Sequence, residues 1–200
     1  MTEAGAPDSR RPPRVVVTRL LGAAAALAAA VLAVVGSFLP LVSGRLDQRG
    51  AAVFTLSITG WKLNGQSPSG APVSTSGGAA QNGIPLTIAA ALLLVVALLI
   101  LVAAPRFAPT VLRSTAVAGG AVVVAFFVGI LLTIGIQAGN LLGTLRPVGA
   151  AVGNDSFATS ADLGAGFWLE VVAGVLAIAA VALAALSPRA FTTPPGESST

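Results

Sequence analysis

Four stretches of this chain are too apolar and too long to sit comfortably in a water-soluble core. They cover residues 20–40, 84–104, 114–138 and 164–187, and the second, Ile84 to Ala104, carries no charged side chain at all. A helix rising about 1.5 Å per residue needs roughly 20 apolar residues to cross a hydrocarbon layer about 30 Å thick. Within such a layer every backbone polar group must be satisfied inside the segment, so each stretch reads as an α-helix. The whole composition agrees: 55% of residues are hydrophobic, 9% are charged and the mean hydropathy is +0.91, against about a quarter charged in soluble domains. The expected fold class is therefore an all-α membrane protein, an antiparallel bundle of four transmembrane helices. The first stretch lies within a longer apolar segment, Val15 to Val42. That segment exceeds the roughly 7–15 residues of a signal-peptide core and ends in no small-x-small cleavage site, so it is read as a helix that stays. Ser9-Arg10-Arg11 is followed by Pro12 and Pro13 where a twin-arginine export signal has apolar residues.

The segments between the helices differ in character. Residues 1–19 hold Glu3, Asp8, Arg10, Arg11 and Arg14 among prolines, and residues 188–200 are equally polar, so both ends read as disordered tails. In the first loop, residues 41–83, Phe54, Leu56 and Ile58 alternate with Thr55, Ser57 and Thr59. This period of two predicts a strand near 52–59, with Gly60-Trp61 and Asn64-Gly65 as turns of a small hairpin or sheet. Residues 66–83 are rich in Ser, Gly, Pro and Ala and read as a linker. Residues 105–113 form a tight basic turn, and residues 139–163 a second, shorter loop. Arg10, Arg11, Arg14, Arg19, Arg106, Arg113 and Arg189 fall on one side of this arrangement, and Arg45, Arg49, Lys62 and Arg146 on the other. The positive-inside rule then puts both termini in the cytoplasm and both loops outside a plasma membrane.

Several chemistries are unavailable. The chain has neither cysteine nor histidine, which removes disulfides, thiolate and imidazole chemistry and the usual zinc or haem ligands. The seven carboxylates are scattered and form no oxygen-ligand cluster, so no cofactor and no metal are expected. The net charge of +4 comes from residues flanking the apolar runs, which points to the lipid surface and not to nucleic acid. Glu170 is the exception, an acidic residue inside the fourth run. Gly166, Gly174 and Ala177 share its helical face at offsets of minus four, plus four and plus seven, so Glu170 is expected to point into the bundle. In the third run, Thr133, Gln137 and Asn140 fall on one face at the same end, and Arg45 follows the first run. These residues are expected to form an intramembrane polar cluster with Glu170, with Arg45 or Arg146 as counter-ion. Gly135 and Gly139 stand in GxxxG spacing, as do Ala125 and Gly129, suited to close helix contact. Trp61 and Trp168 are expected to act as interfacial anchors.

The layout of four helices, a long strand-bearing first loop, a tight basic turn and a shorter second loop resembles the claudin and peripheral-myelin-protein topology. The tryptophan and paired-cysteine motif of claudins is absent, since Trp61 stands alone in the loop, so junction formation is not implied. Thr59-Gly60-Trp61 after a strand-like run, and Gly164-Ala165-Gly166-Phe167-Trp168-Leu169 leading into the fourth helix, resemble small four-helix membrane proteins of actinobacteria, including the tryptophan-operon-associated type. Ten arginines against one lysine fit such a GC-rich source. The resemblance supplies no catalytic residues.

The expected function is that of an accessory or scaffold component of a cell-envelope membrane complex, not an enzyme. Its partners would be the lipid bilayer and a membrane or envelope protein or a second copy of the chain. The alternative is a small transporter or channel subunit built on the cluster around Glu170.

Overall fold

A computed structural model describes residues 14–67, 69, 72–73, 82–102, 109–151 and 157–186. Residues 1–13 of the first expected tail, the second tail at 188–200, most of the linker and residues 105–108 of the basic turn lie outside the described residues, while residues 14–19 of that first tail and 109–113 of the turn are helical, each an extension of the adjoining apolar run. Among the described residues, four helices are long and apolar enough to cross a membrane. They are α1 (Arg14–Phe38), α2 (Gly83–Val102), α3 (Pro109–Ala151) and α4 (Ala165–Leu186). In the bundle α1 lies between α2 and α4, and α3 closes the ring by packing on α2 and α4. The directions alternate, because the end of α1 meets the starts of both α2 and α4.

The two sides of this ring are filled differently. On α1 the buried positions Ala23, Ala26, Ala30, Ala33 and Ser37 recur at alternating intervals of three and four. On α4 Gly166, Glu170, Ala173, Ala177, Ala180 and Ala184 do the same. This is the spacing of a left-handed 3–4 seam, and with alanine or glycine at nearly every position the two backbones lie close together. Between α2 and α3 the filling side chains are larger: Leu86, Leu93, Val96 and Ile100 face Val123, Phe127, Ile130 and Ile134.

At one end of the bundle sits an antiparallel sheet in the order β4-β3-β2-β1-β5. Its strands are β1 (Val42–Gln48), β2 (Ala51–Ile58), β3 (Leu63–Gln66), the two-residue β4 (Pro72–Val73) and β5 (Phe157–Leu163). The β1–β2 hairpin turns on Arg49 and Gly50, with φ of 52° and 81°. Positive φ at both central residues is what a two-residue turn needs to follow the strand twist. Arg49 is the residue at which this conformation costs most, since its Cβ crowds the backbone in the left-handed region.

Three features depart from what the sequence suggests. The third helix runs thirteen residues past 138, through the stretch read as loop 2, and packs against β5 and β1. Leu141 on this extension and Ile58 on β2 both join the main core, so tertiary burial carries the helix past Gly139-Asn140. The rest of that loop contributes β5, and the sheet is thus assembled from both loops. Asn64-Gly65, read as a turn, lies within β3 and pairs with Ser57 and Leu56, while the tight turn falls at Arg49-Gly50.

Candidate functional site

Two joints fasten the sheet to the bundle. Pairing of β1 with β5 continues directly into the α1–α4 seam: the Gly164 amide donates to the Leu41 carbonyl and the Gly166 amide to the Pro40 carbonyl, each at 2.9 Å. Here glycine is dictated by space. A Cβ on Gly164 would collide with the Pro40 carbonyl, and one on Gly166 would lie 2.6 Å and 2.8 Å from the Gly36 and Leu39 carbonyl oxygens.

A second joint ties the β2–β3 turn to the end of α1 and the start of α2. Thr59 closes the turn, its Oγ1 accepting the Lys62 amide at 2.9 Å and the Trp61 amide at 3.2 Å. The Gly60 amide donates to the Ser37 carbonyl at 2.8 Å, and the Gly83 amide to the Gly60 carbonyl at 2.6 Å. Trp61 lies over this crossing: its indole Nε1 donates to Ser37 Oγ at 3.1 Å and its ring stacks on Phe38 with centroids 5.9 Å apart. A Cβ on Gly83 would lie 2.5 Å from the indole ring. Trp61 therefore braces the loop against α1 and α2, with 38% of its surface still exposed. Trp168 is more exposed, at 58%, and makes an edge contact with Phe167.

The residues of the expected cluster are not brought together. Gln137 pairs with Asn82 across α3 and the start of α2: Asn82 Nδ2 donates to Gln137 Oε1 at 2.6 Å, and Gln137 Nε2 donates back to Asn82 Oδ1 at 3.2 Å. Thr133 is exposed and donates to the Gly129 carbonyl one turn back at 2.9 Å, and Asn140 is exposed on α3. Arg45 lies on the sheet, where its Nε sits 2.9 Å from Asp47 Oδ1 in a half-exposed ion pair. The side chain of Arg146 lies outside the described residues. Glu170 is fully buried in the α1–α4 seam beside Gly36, and neither of its oxygens has a hydrogen-bond partner among the described residues. Sequence reasoning missed Asn82, Gly36 and Ser37 as partners in these joints.

The sheet's faces are sorted by the pleat. Val42, Leu46 and Leu56 are buried on one face, and Val42 joins the bundle core. On the other, the strand register aligns Asp162, Ser43, Ser57 and Asn64 in one row and Ser160, Arg45, Thr55 and Gln66 in the next. Seven of these eight, all but Ser160, line a shallow depression of about 310 Å³. Among the described residues no group of three or more Asp or Glu side chains is placed to hold a metal.

The chain matches no protein-family model and no curated protein. What the site can do follows from its own geometry. The polar face offers hydroxyl, amide and single charged groups of both signs, a surface for recognition. Glu170 offers a carboxyl in a nearly solvent-free seam.

Proposed function

We propose that this chain is a multi-pass membrane protein that serves as an accessory or scaffold component of a cell-envelope complex, with the polar face of its sheet as the surface presented to a partner. The observation that carries this reading is the way both loops form one sheet that is keyed to the bundle by glycine-tight joints. A surface held that firmly is pre-organised, and pre-organisation reduces the ordering cost of association. Four membrane-length apolar helices support insertion, and the excess of arginine in the tails and basic turn supports cytoplasmic termini with the sheet outside a plasma membrane. In that orientation Trp61 and Trp168 lie near the outer interface, where an amphipathic ring is favoured. The partner is a membrane or envelope protein or a second copy of the chain. The arginine-rich composition supports an actinobacterial setting.

The test is capture of the tagged full chain from its native membrane in mild detergent, compared with Ser57→Arg at the centre of the polar face. A stoichiometric protein recovered with the wild type and lost with Ser57→Arg, at unchanged thermal stability, supports the reading. Recovery of the same protein with both, or of none with either, contradicts it. Glu170 favours a second reading, that the chain is a transporter or channel subunit, because a scaffold has no need of a carboxyl that is buried inside its helix seam with no hydrogen-bond partner among the described residues.

A further inference from the structure

Burying a carboxylate is tolerated when a cation or several donors replace the lost water; without them it is among the costliest placements a side chain can take. Glu170 has neither among the described residues, yet it is fully buried and occupies a regular position of the α1–α4 seam. The crossing beside it, between Gly36 and Gly166, is lined with further oxygen atoms. A Cβ on Gly36 would lie 2.7 Å from Glu170 Oε1 and 3.2 Å from the Gly166 carbonyl oxygen. One on Gly166 would lie 2.6, 2.8 and 3.0 Å from the carbonyl oxygens of Gly36, Leu39 and Pro40. Those three carbonyls belong to the end of α1 and the residues just beyond it, where the helix dipole leaves partial negative charge; the Gly36 carbonyl accepts the Leu39 amide at 3.1 Å and the Pro40 carbonyl the Gly166 amide at 2.9 Å, and each keeps a second lone pair.

Among the described side chains no cation answers these acceptors. On α1 the only charged side chain described is Arg19, at the opposite end, and the described side chains of α2 and α3 include none. The sheet carries Arg45, Asp47, Arg49, Lys62 and Asp162, and none of them bonds either Glu170 oxygen. Gly36 and Gly166 keep the space open, since any larger side chain at either position would press on the carboxyl or on the carbonyls.

We propose that Glu170, with carbonyl oxygens of the Gly36–Gly166 crossing beside it, forms a binding site for one hard monovalent cation, a sodium ion or a proton. An all-oxygen set selects hard cations over soft ones. A single carboxylate neutralises a single positive charge, whereas a divalent ion would leave net charge buried. Occupancy turns the seam from repulsive to cohesive, so the packing of α1 on α4 is linked to the cation. This inference goes beyond the scaffold reading and does not depend on it.

The experiment uses the purified full chain in mild detergent and compares wild type with Glu170→Gln, which keeps the side chain's size and polarity and removes its charge. Thermal unfolding is followed in sodium chloride against an equal concentration of choline chloride, over a range of pH. Exposed groups such as Asp47 and Asp162 are present in both proteins, so their effects cancel in the comparison. For a sodium site, sodium raises the wild-type midpoint by about 4 °C or more relative to choline, and Glu170→Gln loses that response. For a proton site, sodium has no effect, and the wild-type midpoint rises on acidification by a margin that Glu170→Gln does not show. Gly36→Ala, which retains the carboxyl but crowds it, is expected to reduce whichever response the wild type gives, and it serves in its place should Glu170→Gln fail to fold. Identical responses to sodium and to pH in wild type and Glu170→Gln would overturn the proposal, as would responses in wild type and Gly36→Ala that do not differ where Gln is not tolerated.

Discussion

Glycine does opposite work in two parts of this bundle. Along the α1–α4 seam Gly36, Gly164 and Gly166 each face backbone or side-chain atoms of the neighbouring segment at a distance that leaves no room for a Cβ. Along α3, Gly119, Gly129, Gly135, Gly139 and Gly143 face nothing within 4 Å. The GxxxG spacing of Gly135 and Gly139, which suggests a helix contact, makes none inside this bundle. A small-residue motif permits close approach; whether a backbone takes up the offer depends on what the rest of the fold brings there. In the seam it is taken up because β1 and β5 hydrogen-bond to each other and draw α1 and α4 together at the same end.

The contrast can be tested by substitution. Gly166→Leu should have the largest effect, since the atoms its Cβ would meet are backbone carbonyls that cannot rotate away. Loss of about 3 kcal/mol or more is expected, read as a lowered thermal midpoint or failure to purify as a single species. A wild-type-like midpoint would break the comparison. An intermediate effect is expected on the α2–α3 side, where Asn82 and Gln137 hold each other. Asn82→Leu strands the Gln137 amide and should lower stability by about 1–3 kcal/mol, while the double Asn82→Leu/Gln137→Leu variant loses less than the sum of the two single changes. Strict additivity would show that the amide pair contributes nothing of its own. The smallest effect belongs to Gly139→Ala, where nothing opposes the new methyl and helix propensity favours it by about 0.5–1 kcal/mol. A loss of stability or of a higher-order species at that position would instead reveal a second chain lying on α3.

Much of the architecture was legible in sequence because its signals are local. Four long apolar runs mark the helices, and Phe54, Leu56 and Ile58 mark the face of β2. Gly166, Gly174 and Ala177 mark the buried face of α4 along with Glu170, and these four residues are indeed buried or lie against the core. The rest depends on partners distant in sequence. Phe157 to Leu163 alternates only weakly, with Ala, Thr and Ser between its ends, and becomes a strand because β1 offers it a ladder. Gln137 reads correctly as a polar residue with a role, yet its partner, Asn82, stands at the end of a Ser/Gly linker and gives no sign of where it will be placed. Gly36, in an alanine-rich helix, does not announce that a carboxylate will rest on it. Charge complementarity between Glu170 and Arg45 is the natural guess from sequence. The sheet register instead places Arg45 on the polar face beside Asp47.

We propose that the one sheet built from both loops lies on the outer side of a four-span bundle. Because the chain has no cysteine, a pair introduced at Ser43 and Asp162, which are Cα partners across β1 and β5, would be its only thiols. In intact cells a membrane-impermeant oxidant is expected to join them into an intramolecular disulfide, and a single cysteine at Thr110 is expected to resist an impermeant thiol reagent until the cells are lysed. Failure of the Ser43–Asp162 pair to close, or labelling of Thr110 in intact cells, would contradict the account.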